Sequence, residues 1–330
     1  MAFLPKVAIA ILTGFLAFLV TPATGADIST DAPDGCVLSL SGDIAPGDTA
    51  ALQAVFDNPD FYAPDRAFLC LDSTGGSFHE ALRLADMISS RYLGTAVPKG
   101  ASCLAECAII FMFGQGSGEH WVGTNRKMHH SARLGFRRPF IAVPAEMQYT
   151  AGQMQLHQDA AYDNMALLMN TLLRQDTHDF PTSLMANMLG HAGDDLYMID
   201  TAHKAFWWNI PVDGWTPPAQ VSAQTVAAAC QIVADVILDG DGMYKPFDEE
   251  PYGADLQGPK SIHGETVYLS TGGWLWEGSF SCRVGHSQDT GDLSVCFGQY
   301  ETIEDEDWSA MCRSSNLLTV ATDLKLADLP

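Results

Sequence analysis

The stretch that most restricts the fold is 66–114, RAFLCLDSTGGSFHEALRLADMISSRYLGTAVPKGASCLAECAIIFMFG. It divides into four pieces. Residues 67–71 form a short apolar run suited to a buried strand, and Ser73-Thr74-Gly75-Gly76-Ser77 is a turn. Over 78–92, Leu82, Leu84, Ala85 and Ile88 recur at the spacing of an amphipathic helix. Residues 95–98 predict a second strand, and Gly100 leads into a second helix over 104–113. Strand, helix, strand, helix predicts a parallel sheet with crossover connections. Two loop-to-helix junctions, at Gly75-Gly76 and at 101–105, then share the sheet end where open α/β folds build their sites.

These pieces carry a family resemblance. LDSTGGS resembles the LNSPGGS turn of the proteolytic subunit of Clp protease. KGASCLAECAIIFMFG resembles the segment around that family's nucleophilic serine. It is closer still to exported Clp-protease-like proteins that carry a Cys-x-Ser-x-Cys version. RKMHHSARLGFRRPF resembles the strand that ends in the family's catalytic histidine. The resemblance spans about 37–214 and implies an α/β fold of the ClpP/crotonase type, a spiral of βαβ units.

The same resemblance assigns the serine to Ala105, the histidine to Arg137 and the aspartate to Asp194 or Asp195. A methyl group is no nucleophile, and a guanidinium stays protonated and cannot act as a general base. A serine triad needs both functions. The expectation is therefore a catalytically silent scaffold that binds an extended peptide or a carboxylate. Gly75, Gly76 and Ser77 would be its oxyanion-type donors, with Arg133 and Arg137 beside them. A peptide would bind by strand addition next to the Gly-Gly turn. Glu106 is either a solvated helix residue or a partner for Arg137, an ion pair where serine and histidine would otherwise meet. The basic run 126–138 either pairs internally or forms a subsite for a carboxylate or acidic peptide.

Two other functions stay open. One is an active serine hydrolase with Ser102 as relocated nucleophile, His129 or His130 as base, and Asp194 or Asp195 as orienting acid. Against it, Ser102 also suits a helix N-cap. The other is a structural or assembly protein, with an oligomer possible.

The remaining chain sets the context. Lys6, the apolar run 7–20 and the small residues 23–26 predict a secretory signal over 1–26. The chain is then expected in the bacterial periplasm or outside the cell. Residues 27–216 are the protease-like domain, and 217–330 an acidic, cysteine-containing module rich in strands. The formal net charge of −23 argues against nucleic acid and against docking on an anionic membrane. In an oxidising compartment eight cysteines imply disulfides, the last four pairing among themselves in one of three ways. No cofactor or metal is expected. His129 and His130 point to opposite faces of a strand, and the calcium-like loop 239–250 lacks its ligand at Met243 and its glycine at Tyr244. The Gly-rich 114–123 reads as a flap, and the methionines of a long helix over 146–174 read as core.

Overall fold

The computed structural model describes residues 25–33, 35–118, 121–139, 148–174, 180–239, 256–275, 278–305 and 310–330. Most of the expected signal, residues 146–147, the calcium-like loop at 240–250 and residues 306–307 lie outside the described residues.

The fold is mixed α/β. The chain begins β1 (Asp27–Ser29), β2 (Leu38–Ser41), α1 (Asp48–Phe56), β3 (Phe68–Asp72), α2 (Phe78–Ser90) and β4 (Gly94–Val97). Next come β5 (Ser102–Leu104), α3 (Glu106–Met112), β6 (Gln115–Gly118), β7 (Trp121–Thr124), β8 (Arg126–His129) and β9 (Arg133–Phe136). Then follow α4 (Ala151–Arg174), α5 (Thr182–Leu189), β10 (Tyr197–Met198), α6 (Ala202–Trp207) and β11 (Val212–Asp213). The last part holds α7 (Ala223–Asp239), β12 (Gln257–Ile262), β13 (Glu265–Leu275), β14 (Gly278–Ser287), β15 (Leu293–Gly298) and β16 (Met311–Ser315).

The main sheet has the order β1-β2-β3-β4-β8-β11. All its neighbours are parallel except β1, which runs antiparallel to β2. Leu69, Cys70 and Leu71 are buried in succession on β3, as expected of a strand covered on both faces. Leu84, Ala85 and Ile88 of α2 join the same core as Ile109, Ile110 and Phe111 of α3. Every residue of α3 is buried, so it is a central helix without a solvent face.

Three expectations change here. The helix predicted over 104–113 starts only at Glu106, because residues 102–104 form β5. Backbone bonds take them: Ser73 N–H donates to Ser102 O (2.7 Å), Leu104 N–H donates to Ser73 O (3.0 Å), and β5 pairs in parallel with β9. Ser102 is thus a strand residue and not an N-cap. The predicted flap contains the β6–β7 hairpin, packed on itself. A Cβ on Gly116 or Gly118 would lie 2.9 or 2.4 Å from Trp121 ring atoms, so the glycines let that indole lie against the strand. On α4, Met154, Leu156 and Tyr162 are exposed, and the core contacts come from the second half, through Met165 and Leu168.

The C-terminal strands form the antiparallel sheet β12-β13-β14-β15-β16. α7 packs on it, Val226, Ala229 and Val233 meeting Val284, Val295 and Phe297. Four disulfides are present: Cys36–Cys70, Cys103–Cys107, Cys230–Cys282 and Cys296–Cys312. The last four cysteines do pair among themselves. After β16 the chain returns to the first core, where Leu317, Leu326 and Leu329 are buried. Leu326 N–H donates to Asp200 O (2.9 Å) and Ala202 N–H to Leu324 O (2.9 Å).

Candidate functional site

The site lies where β3 and β5 both run out into turns. After Asp72 the chain turns through Gly75 (φ 112°) and Gly76 (φ 145°) into α2. Gly76 cannot be replaced, because a Cβ there would lie 2.2 Å from Ile44 O. Ser73 Oγ braces the turn by accepting from Gly75 N–H (3.2 Å). Two of the turn's main-chain groups are already committed. Ile44 N–H donates to Gly75 O (2.9 Å) and Ser77 N–H donates to Ile44 O (2.8 Å). Ser77 Oγ caps α2 by accepting from Glu80 N–H. Ser77 is therefore not an open donor, and Ile44 pairs with one side of the turn. Gly76 N–H instead faces a side chain.

That side chain comes from the second turn. Ala105 joins β5 to α3 with φ 54° and ψ −116°, a conformation that costs an alanine about 1–3 kcal/mol. A strand, a sharp strained turn and then a helix is the geometry with which hydrolases lift a nucleophile out of the backbone. Here the lifted residue is Ala105, with a methyl group and 1% exposure. Its N–H donates to Gly135 O (2.8 Å), and the Cys103–Cys107 disulfide straddles it with 5.1 Å between Cα atoms.

Glu106 follows, and its carboxylate enters the Gly-Gly turn. Gly76 N–H donates to Glu106 Oε2 (3.1 Å). The same oxygen would lie 2.4 Å from a Cβ on Gly75, so the absence of that carbon makes its seat. Arg137 Nη2 stands 3.7 Å from Glu106 Oε2, both side chains being largely buried. Arg137 Nη1 donates to Gly193 O, in the loop that also bears Asp194 and Asp195. A continuous polar path therefore runs from Gly76 N–H through a carboxylate and a guanidinium to a backbone carbonyl. Ala105 and Arg137, chosen from sequence as nucleophile and base positions, do converge on one place. There Glu106, the residue after Ala105, forms an ion pair with Arg137.

The other sequence candidates are placed elsewhere. Arg133 is exposed on β9, opposite Ser102 in the ladder. Ser102 N–H donates to Asp72 Oδ1 (3.0 Å), and among the described residues no hydrogen bond joins Ser102 to His129 or His130. His129 ends β8, and its Nδ1 accepts from Ser131 N–H (3.1 Å) and shares a 2.9 Å contact with Ser131 Oγ. Burial first, and His130 beside it, hold His129 below the ordinary histidine value against the pull of Asp213. His130 Nδ1 meets Leu326 O (3.3 Å). Asp195 partners His191, Nδ1 to Oδ2 2.9 Å, and neither His129 nor His130. Sequence reading missed Ser131 and His191 as partners; the two-residue and four-residue spacings to His129 and Asp195 were their only signals. Among the described residues no cluster of His, Cys, Asp or Glu has the make-up of a metal site. No described helix is long and apolar enough to cross a membrane. A separate hollow of about 1160 Å³ lies between α6, α7 and β16, walled by Phe206, Trp207, Ile237 and Arg313, and shares no residue with the Gly76 turn.

No protein-family model and no curated protein matches the chain. Among solved structures it is similar to a serine-to-alanine mutant of the 1510-N membrane-bound stomatin-specific protease, at 15% identity and a TM-score of 0.26. The match covers 39% of this chain and 60% of that one, so the chain spans less than two thirds of that structure's length.

Proposed function

We propose that this is an exported protein on a ClpP/crotonase-type scaffold that lacks hydrolytic activity and binds a carboxylate-bearing ligand, with residues 217–315 as an appended module and the last residues returning to the first core. One observation carries the reading. The elbow residue is Ala105, and the donor that would hold an oxyanion, Gly76 N–H, holds the Glu106 carboxylate neutralised by Arg137. A donor that grips a carboxylate is suited to an anion at rest. Hydrolysis needs it vacant until charge develops in the transition state. The motifs quoted from the sequence, LDSTGGS and KGASCLAECAIIFMFG, support the choice of scaffold. A carboxylate is preferred to a strand-like peptide because Gly76 N–H, the main-chain donor that Ile44 leaves, is already taken by one.

The rival is a serine hydrolase, and its best support is the 2.9 Å contact between Ser131 Oγ and His129 Nδ1. Ser131 N–H donates to the same nitrogen, which is the pattern of a tight local turn. A fluorophosphonate probe separates the two. The expected result is no covalent labelling of the purified protein and no cleavage of casein or acyl esters. Labelling that maps to Ser131 or Ser102, and is lost on its change to alanine, would overturn the proposal.

A further inference from the structure

We infer that Glu106 is a tethered competitor for this site: the carboxylate of an external ligand, such as a peptide C-terminus, enters by taking the place of the Glu106 side chain. The inference rests on the carboxylate-binding reading above and adds how access to that site is controlled.

The geometry of the occupant carries it. Glu106 Oε2 reaches Gly76 N–H at 3.1 Å but remains 3.7 Å from Arg137 Nη2. The first is a hydrogen bond; the second is too long for one and is an ion pair alone. The compromise has a mechanical cause. Glu106 is the first residue of α3, and the Ala105 turn and the Cys103–Cys107 bridge fix where its Cα stands. A carboxylate free of that attachment would approach both donors at hydrogen-bond distance, and bonds to charged groups are the stronger class. Gly76 is exposed although Glu106 is buried, so the turn reaches solvent beside the carboxylate. Arg133 and Arg138 are exposed on the neighbouring strand and the residues just after it, two cations in a chain of net charge −23. The exposed carboxylates Asp43 and Asp72 border the same turn and offset part of their positive charge.

The tether also sets the affinity. An attached carboxylate competes at a high effective concentration, whereas a free ligand must give up its translational freedom. Small monocarboxylates therefore bind the wild-type protein weakly. Ligands with further contacts along the mouth would bind it well.

The test uses the full mature chain and follows the backbone amide resonance of Gly76 by NMR. The probes are N-acetylglycine, with a free carboxylate, and N-acetylglycinamide, without one. Glu106→Gln keeps the volume and an acceptor for Gly76 N–H but removes the charge facing Arg137. N-acetylglycine is expected to bind Glu106→Gln roughly tenfold more tightly than wild type, a ratio equal to about 1.4 kcal/mol. The amide probe should shift Gly76 in neither protein. Equal affinities for the two proteins, or equal shifts with both probes, would overturn the inference. If the variant does not fold, the wild-type titration decides: a Gly76 shift with the acid alone supports the inference, and no shift at saturating acid refutes it. A protein that reacts with fluorophosphonate yet gives the expected titration loses the non-hydrolytic reading and keeps Glu106 as competitor. One that resists the probe and fails the titration does the reverse.

Discussion

Ala105 holds a strained backbone conformation although its side chain is only a methyl group. Its φ of 54° and ψ of −116° suit glycine far better than any residue with a Cβ. Ala105→Gly is therefore expected to stabilise the protein by about 1 kcal/mol, the relieved strain exceeding the added freedom of the unfolded chain. Gly76→Ala should do the opposite and cost more than about 3 kcal/mol, since its new carbon would overlap Ile44 O. Chemical denaturation of both variants measures the pair, and a destabilised Ala105→Gly would mean that the methyl group is needed for packing. The family resemblance, which put the serine position beside Glu106 and the histidine position on Arg137, made these two legible as possible partners. The seat of Glu106 on Gly75 and Gly76 was not, because it depends on one dihedral angle at Ala105 that no residue pattern reports.

Elements were legible where periodicity was strong. α2 and β3 follow from the spacing of Leu82, Leu84, Ala85 and Ile88 and from the apolar run before the turn. β5 was hidden because Ser102, Cys103 and Leu104 adopt a strand through pairing with Arg133, Leu134 and Gly135, about thirty residues on. The join between α1 and α2 was equally silent. Glu80 on α2 is buried and accepts from Thr49 N–H (2.7 Å) and Gly47 N–H (3.2 Å) at the start of α1, while Arg83 binds its other oxygen. Burial opposes its charge, yet the Thr49 bonds and Arg83 outweigh that and hold the carboxyl below its ordinary value of 4.5. A depressed carboxyl stabilises the fold in full above the ordinary value, and that share is lost as the pH falls through the folded value. Glu80→Gln should thus cost about 2 kcal/mol near neutral pH. The gap from wild type should narrow below pH 4.5 in urea titrations. A gap independent of pH would leave packing as the cause.

On the scale of the whole molecule, the residues after β16 tie the C-terminal sheet back to the first core. Leu317, Leu326 and Leu329 sit in the core built by β2, β3, α2 and α3, although they follow the β12–β16 sheet in sequence. Removing residues 316–330 should therefore lower the thermal stability of the part that carries the main sheet, by several kcal/mol, at ~2–5 for each buried leucine lost. Near-UV circular dichroism during melting checks this, and an unchanged midpoint would make the tail a passive appendage. On the non-hydrolytic reading proposed above, the polar path from Gly76 to Gly193 sets what installing a serine triad here would demand: a hydroxyl at Ala105, an imidazole at Arg137 and removal of the acid at Glu106. Changing Arg137 first would strip a largely buried acid of its counter-ion, so the replacements would have to be made together.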